Sequence, residues 1–236
     1  MNIVNNTVVK NLTTATAVTS DGNAAPAGLS TAANSVPLMA RVASNAFSGS
    51  SVLVATKFSK PTLLNNVFWD NRAGSFSGGF VTGIGGTLPD GTPGGVNNWD
   101  MGVLDVPGAL LEPVSSVIQT TTGTLASPTN VVSNDPGLVS PYDVTVNVLA
   151  SRMYPAFRQA VIVAQQLPPN LMGNYHLLSS ASPAYGLGAA RTTVRWGPGG
   201  GGWVYQVSAA SPDIDGQPRP SLRPTRYDAG SDQLQP

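Results

Sequence analysis

The sequence predicts an all-β protein, the final turns of a parallel β-helix with long loop excursions and an irregular C-terminal closure. Three observations carry that expectation. Charged residues make up only 10% of the 236, against roughly 25% in an ordinary soluble domain. The 26 glycines and 20 prolines amount to about a fifth of the chain, and Ser, Thr and Asn replace charge as the polar component. Such a composition suits short strands and turns, because β-branched residues favour strands and Gly, Pro and Asn favour turns. The third observation is an internal echo. Asn5-Asn6-Thr7-Val8-Val9-Lys10-Asn11 reads without a gap against Asn65-Asn66-Val67-Phe68-Trp69-Asp70-Asn71.

The echo has a physical meaning. Parallel strands stacked at about 4.8 Å lay identical side chains over one another, and asparagine amides can then hydrogen-bond in ladders. Each turn of such a coil covers the apolar face of the next. In this register Val8 corresponds to Phe68, Val9 to Trp69 and Lys10 to Asp70. A 60-residue offset is long for one repeat. If the two strands are neighbours, Lys10 and Asp70 attract; if another turn intervenes, they do not touch.

Several function classes drop out early. The formal charge is zero, from 12 basic and 12 acidic residues, so no basic stripe invites a nucleic-acid backbone. Without cysteine there are no disulfides, thiolate metal sites or iron–sulfur clusters. No run approaches the ~18 apolar residues of a membrane helix. The opening "MNIVNNTVVKNLTT" lacks the parts of a secretory signal. It reads as a chain not exported by that route, or as a mature or processed piece of something longer.

Further strands are expected at residues 17–20, 52–57, 144–149, 194–196 and 203–208. Glycine-rich punctuation separates them, as in "SGGFVTGIGG", "PDGTPGG" and "WGPGGGGW". One or two helical turns are expected near 156–159, although Pro155 interrupts that stretch and "AVIVA" reads equally well as a buried strand.

Later segments carry a family resemblance. "NDPGLVSPY" (134–142) resembles the D-P-L-F-V-x-P connection of secreted bacterial right-handed parallel β-helix proteins. "GNYHLLSSASPAYGLGA" (173–189) is similar to their G-D-Y-H-L-x-x-G-S-P-A-I-D-A-G segment. "DIDGQPRP…YDAGSDQLQP" (213–236) is similar to their closing D-I-D-G-x-P-R-P…D-I-G-A-D-E, and "NNVFWDN" resembles the N-N-I-F-W-x-N rung that precedes these. The family is the one whose terminal region is called choice-of-anchor Q. Tyr185-Gly186-Leu187 and Ser231-Asp232-Gln233 depart from its pattern. The resemblance implies a right-handed coil and a bacterial extracellular or cell-surface setting. It implies no particular activity, since this fold hosts enzymes, adhesins and shells alike.

Candidate sites are sparse. Asp213, Asp215, Asp228 and Asp232 form the densest acidic group and are the candidate calcium ligands, because hard cations take carboxylate and carbonyl oxygens. Turn chemistry competes and is preferred: Asp215-Gly216 is a strong turn dipeptide, and Arg219 can hydrogen-bond a nearby carboxylate. No cofactor besides that calcium is expected. His176, the sole histidine, has no partner motif and reads as a strand-face residue rather than an acid–base catalyst. No G-x-S-x-G is present, and "GPGGGG" (197–202) lacks the G-K-[ST] of a phosphate loop. A polysaccharide lyase or hydrolase on this fold would need Asp70, Arg72, Asp100 and Asp105 to converge. Trp69, Trp99, Trp196 and Trp203 offer faces for sugar stacking, with Trp69 expected to pack in the coil or against an excursion instead.

The expected organisation is coil turns over 1–190, with a glycine-rich insertion at about 74–127, then a closing segment over 191–236. A first rung lying within "IVNNTV" exposes a strand edge that invites pairing. The expected partner is another protein chain, or an upstream β-helix segment, covering that edge. The function expected is a non-catalytic, extracellular or cell-surface structural or assembly component. It would be the C-terminal part of a larger β-helix protein or a subunit of a complex. The alternative is a carbohydrate-active β-helix enzyme.

Overall fold

A computed structural model describes residues 1–14, 21–44, 57–77, 79–142, 146–148, 161–163, 173–195, 204–222 and 225–235. These residues are mostly short strands. In order they are β1 (Asn2–Val4), β2 (Thr7–Val9), β3 (Leu12–Thr13) and β4 (Leu29–Ala32), then the helix α1 (Val36–Ser44). Next come β5 (Thr62–Leu64), β6 (Val67–Trp69), β7 (Arg72–Ala73), β8 (Ser75–Ser77), β9 (Phe80–Thr82) and β10 (Met101–Leu104). After these lie β11 (Pro113–Val114), β12 (Val117–Ile118), β13 (Val131–Val132), β14 (Leu138–Ser140), β15 (Val146–Val148) and β16 (Val161–Val163). The last are β17 (Asn174–Leu177), β18 (Arg191–Arg195), β19 (Val204–Ser208), β20 (Ser221–Leu222) and β21 (Thr225–Arg226).

The first half stacks in parallel. β1, β2 and β3 lie directly on β5, β6 and β7, every partner 60 positions away, from Asn2 on Thr62 to Thr13 on Ala73. β11 and β12 continue the stack on β5 and β6, and β13 adds a fourth layer on β12. β10 runs parallel on β4. The 60-residue echo therefore marks immediate neighbours, and no strand layer intervenes. Lys10 Nζ and Asp70 Oδ2 meet at 3.0 Å.

The paired asparagines do two different jobs. Asn5, Asn65 and Ser115 occupy the same corner in successive layers and share left-handed φ values of 55°, 56° and 49°, a conformation that asparagine tolerates better than most residues. The next residue builds the ladder. Asn6 N–H donates to Asn66 Oδ1 (2.9 Å), Asn66 N–H to Ser116 Oγ (3.0 Å), and Ser116 N–H to Asn130 Oδ1 (3.0 Å). Asn66 Nδ2 reaches back to Ile3 O at 2.9 Å. A second ladder joins Asn11 to Asn71, whose Nδ2 donates to Val8 O and to Asp100 Oδ1. These amides satisfy corner N–H and C=O groups that the strand pairing leaves over.

Alternation within the short strands makes two cores. Phe58, Leu63, Phe68, Met101, Leu111 and Ile118 form one, with Ile3 and Val8 of the first layer packed against it. Val67 and Val117 point the other way and join Leu177, Ala184 and Ala229. From Leu138 onward the strand pairs are antiparallel, and this C-terminal part lies along the outer face of the β2–β6–β12 sheet. Asn5 Oδ1 accepts from Ala210 N, while Asn65 exchanges two 2.8 Å hydrogen bonds with Ala189. Gly230, at φ 92°, approaches so closely that a Cβ there would sit 2.8 Å from Thr7 Oγ1 and 3.0 Å from Val67 Cγ2.

Among the described residues parallel pairing reaches Val132, and the chain then folds back on its own side wall. The insertion at about 74–127 divides: β8 and β9 form a hairpin, but β10, β11 and β12 belong to the stacked strands. The helix α1 was not expected. Its start signal is nonetheless present, since Ser35 Oγ caps Leu38 N at 3.3 Å and Pro37 lies in the first turn. Of the other expected strands, 144–149 is strand at Val146–Val148, 194–196 at Val194 and Arg195, and 203–208 from Val204. "AVIVA" is strand at Val161–Val163. The expected strand at 17–20, most of that at 52–57 and the helical turns near 156–159 lie outside the described residues.

Candidate functional site

The C-terminal acidic group splits into two pairs. Asp213 and Asp228 serve the backbone. Asp213 Oδ1 accepts from Asp215 N (3.0 Å) and Gln217 N (2.7 Å), shaping the Asp215-Gly216 turn. Asp228 accepts from Gly186 N through one oxygen (2.6 Å) and from Leu234 N through the other (2.8 Å). Burial pushes the Asp228 carboxyl above its usual range despite those two donors. Buried Arg219 lies among these acids and donates Nη1 to Asp228 O at 3.3 Å.

Asp215 and Asp232 instead meet His176. β17 pairs with β14 and buries Leu177 in the second core, so alternation turns His176 outward. Asp215 arrives on its exposed turn, and its Oδ2 lies 2.6 Å from His176 Nε2. Asp232 is buried and accepts Leu177 N–H at 2.8 Å. Ile214 N–H donates to Ser231 O at 2.9 Å, tying the turn to the tail that carries Asp232. One donor atom from each of His176, Asp215 and Asp232 lies within 4.8 Å of the others. On the far side of the ring, Nδ1 contacts Asn174 Oδ1. Sequence reading placed His176 on a strand face but found it no partner. Asn174, two residues away on the same strand face, was legible by alternation; Asp215, 39 residues on, was not.

Asp70 and Asp100 are each held by neighbouring side chains and amides. Asp70 is gripped by Arg72 Nε and Nη2 (2.6 and 2.7 Å) and by Lys10. Burial alone would raise the Asp70 carboxyl, but hydrogen bonds and charge from Arg72 and Lys10 outweigh it and hold it below the usual range. Asp100 is fully buried and accepts from Asn71, Gln119 N and Thr120 N. Burial raises its carboxyl, against the pull of those donors. Asp105 is exposed on the turn after β10. Trp99 is anchored through Nε1 to Met101 O at 3.0 Å. Trp69 lines a cleft of about 280 Å³ with Lys10, Asp135 and Pro136. Trp196, Trp203 and the "GPGGGG" stretch lie outside the described residues. Among those residues no helix is long and apolar enough to cross a membrane.

No protein-family model, no curated protein and no solved structure matches this chain.

Proposed function

We propose that this chain is a non-catalytic structural or assembly component built on a right-handed parallel β-helix and placed at a bacterial cell surface or outside the cell. The observation that carries the reading is the outward edge of the first layer. In each deeper layer a side-chain oxygen, that of Asn66, Ser116 or Asn130, receives an N–H from the layer above it. Asn6 and Asn11 stand at the corresponding corners of the first layer, and both are exposed. Ile3 and Val8, which align with buried Leu63 and Phe68, are only half-covered. Such an edge suits one more parallel layer, from an upstream β-helix segment or another chain. The grip of Lys10 and Arg72 on Asp70 and the burial of Asp100 also speak for a structural role.

A second reading, carbohydrate recognition, draws on the cleft that Trp69, Lys10 and Asp135 line together. One set of measurements separates the two. Hydrogen exchange on natively sourced protein should find β1 and β2 amides protected, and Val8→Lys should release whatever covers them. Freely exchanging β1 and β2 amides in native material, or turnover of acidic polysaccharides with or without calcium, would overturn the structural reading.

A further inference from the structure

We infer that His176, Asp215 and Asp232 bind one divalent transition ion of the zinc class, clasping the C-terminal turn and tail to β17. The inference begins with the imidazole. Asn174 Oδ1 accepts the His176 backbone N–H at 3.1 Å, which fixes the oxygen end of that amide toward the histidine. The ring Nδ1 contacts the same oxygen. Nε2, on the other side of the ring, faces Asp215 Oδ2 at 2.6 Å.

Buried Asp232, 4% exposed, brings a second carboxylate oxygen within 4.8 Å of both atoms. One nitrogen and two oxygens from β17, the turn and the tail thus converge on one point, an arrangement that a divalent ion can bridge. The remaining features match how proteins hold such ions. The non-ligating ring nitrogen is oriented by a hydrogen-bond acceptor, and the buried carboxylate is itself fixed, here by Leu177 N–H. His176 and Asp215 are 37% and 44% exposed, so an ion can enter and water can complete its shell.

The donor set also selects the metal. Calcium prefers oxygens alone, whereas one imidazole nitrogen with two carboxylates suits zinc and its neighbours. Bonds of about 2.0–2.2 Å to both Nε2 and Oδ2 require those atoms to part by several tenths of an ångström from their present separation. Asp215 can make that movement, because it rides on an exposed turn.

Calorimetric titration of metal-stripped protein with zinc chloride tests the site, with cobalt(II) absorption reporting nitrogen and oxygen ligation. One ion per chain is expected, with calcium in excess failing to displace it. His176→Gln and Asp215→Asn should each weaken zinc at least about tenfold while leaving the metal-free circular dichroism unchanged. Zinc should raise the unfolding temperature of the parent protein and not that of either variant. Absence of zinc binding overturns the inference. So does binding of equal strength in both variants, or calcium binding in preference to zinc.

Discussion

The stacked strands and the C-terminal closure are held by opposite strategies. Between the first two layers of the stack like residues recur at one offset: Asn6 on Asn66, Asn11 on Asn71, apolar Val8 on Phe68. Each layer supplies the hydrogen-bond partners of the next, so losing one weakens a repeated contact. The closure has no such repetition. Asn5 reaches Asp228 and Gly230, more than 220 positions away, and Asp232 holds a single amide of β17. Corner asparagines belong to both systems, the first of each pair facing the closure and the second facing the ladder. Repetition spreads its load; the closure concentrates it on a few singular contacts.

The sharpest way to break this contrast is Asn66→Ala set against Asn6→Ala. Removing the buried Asn66 side chain leaves Asn6 N–H and Ile3 O without these partners, at a cost of about 3 kcal/mol. At the exposed end of the same ladder, Asn6→Ala should cost only about 0.5 kcal/mol. Equal costs in urea unfolding would mean that the ladder does not carry the stack.

Asn5→Ala tests the closure. It removes hydrogen bonds to Ala210, Asp228 and Gly230 and places a Cβ residue without a polar side chain at φ 55°. The expected loss is about 2 kcal/mol, with exchange accelerating at the Ala210 amide before any change at Phe68. Asn5→Gly removes the same bonds without the backbone penalty and should recover part of the loss. Simultaneous exchange at both positions would show one cooperative unit rather than two.

A smaller effect than that of Asn5→Ala belongs to the ion pair that bridges two layers. Asp70→Asn should cost about 1 kcal/mol at neutral pH. A carboxylate held below its unfolded value adds stability that is full above about pH 4 and is lost as the pH falls through its folded value. The gap between the variant and the parent should therefore narrow below pH 4. Asp100 has the opposite sign: with its carboxyl raised by burial, its contribution is present in acid and is lost as the pH rises through the folded value. A gap for Asp70→Asn that widens toward acid would contradict the assignment.

Legibility followed the same division. The offset between "NNTVVKN" and "NNVFWDN" is visible on inspection, and the structure adopts that register residue for residue. Strand layers within 74–127 were not visible: β11 and β12 are two residues each, too short for alternation to show through Gly- and Pro-rich surroundings. Asp215-Gly216 was readable as a turn, because the preference is local. That its carboxylate faces His176 was not readable, since it depends on β17, the turn and the tail meeting at one point.

By itself the sequence determined that the first layer stacks on the second, because like residues recur there at one spacing and spacing is a property of the chain. Only the tertiary structure decided that the first asparagine of each pair turns out to the closure while the second stays in the ladder. It also decided that Val67 and Phe68, adjacent in sequence, enter different cores. The reason is geometric. A strand with both faces buried looks uniformly apolar in sequence, and only the packed neighbours say which face meets which core.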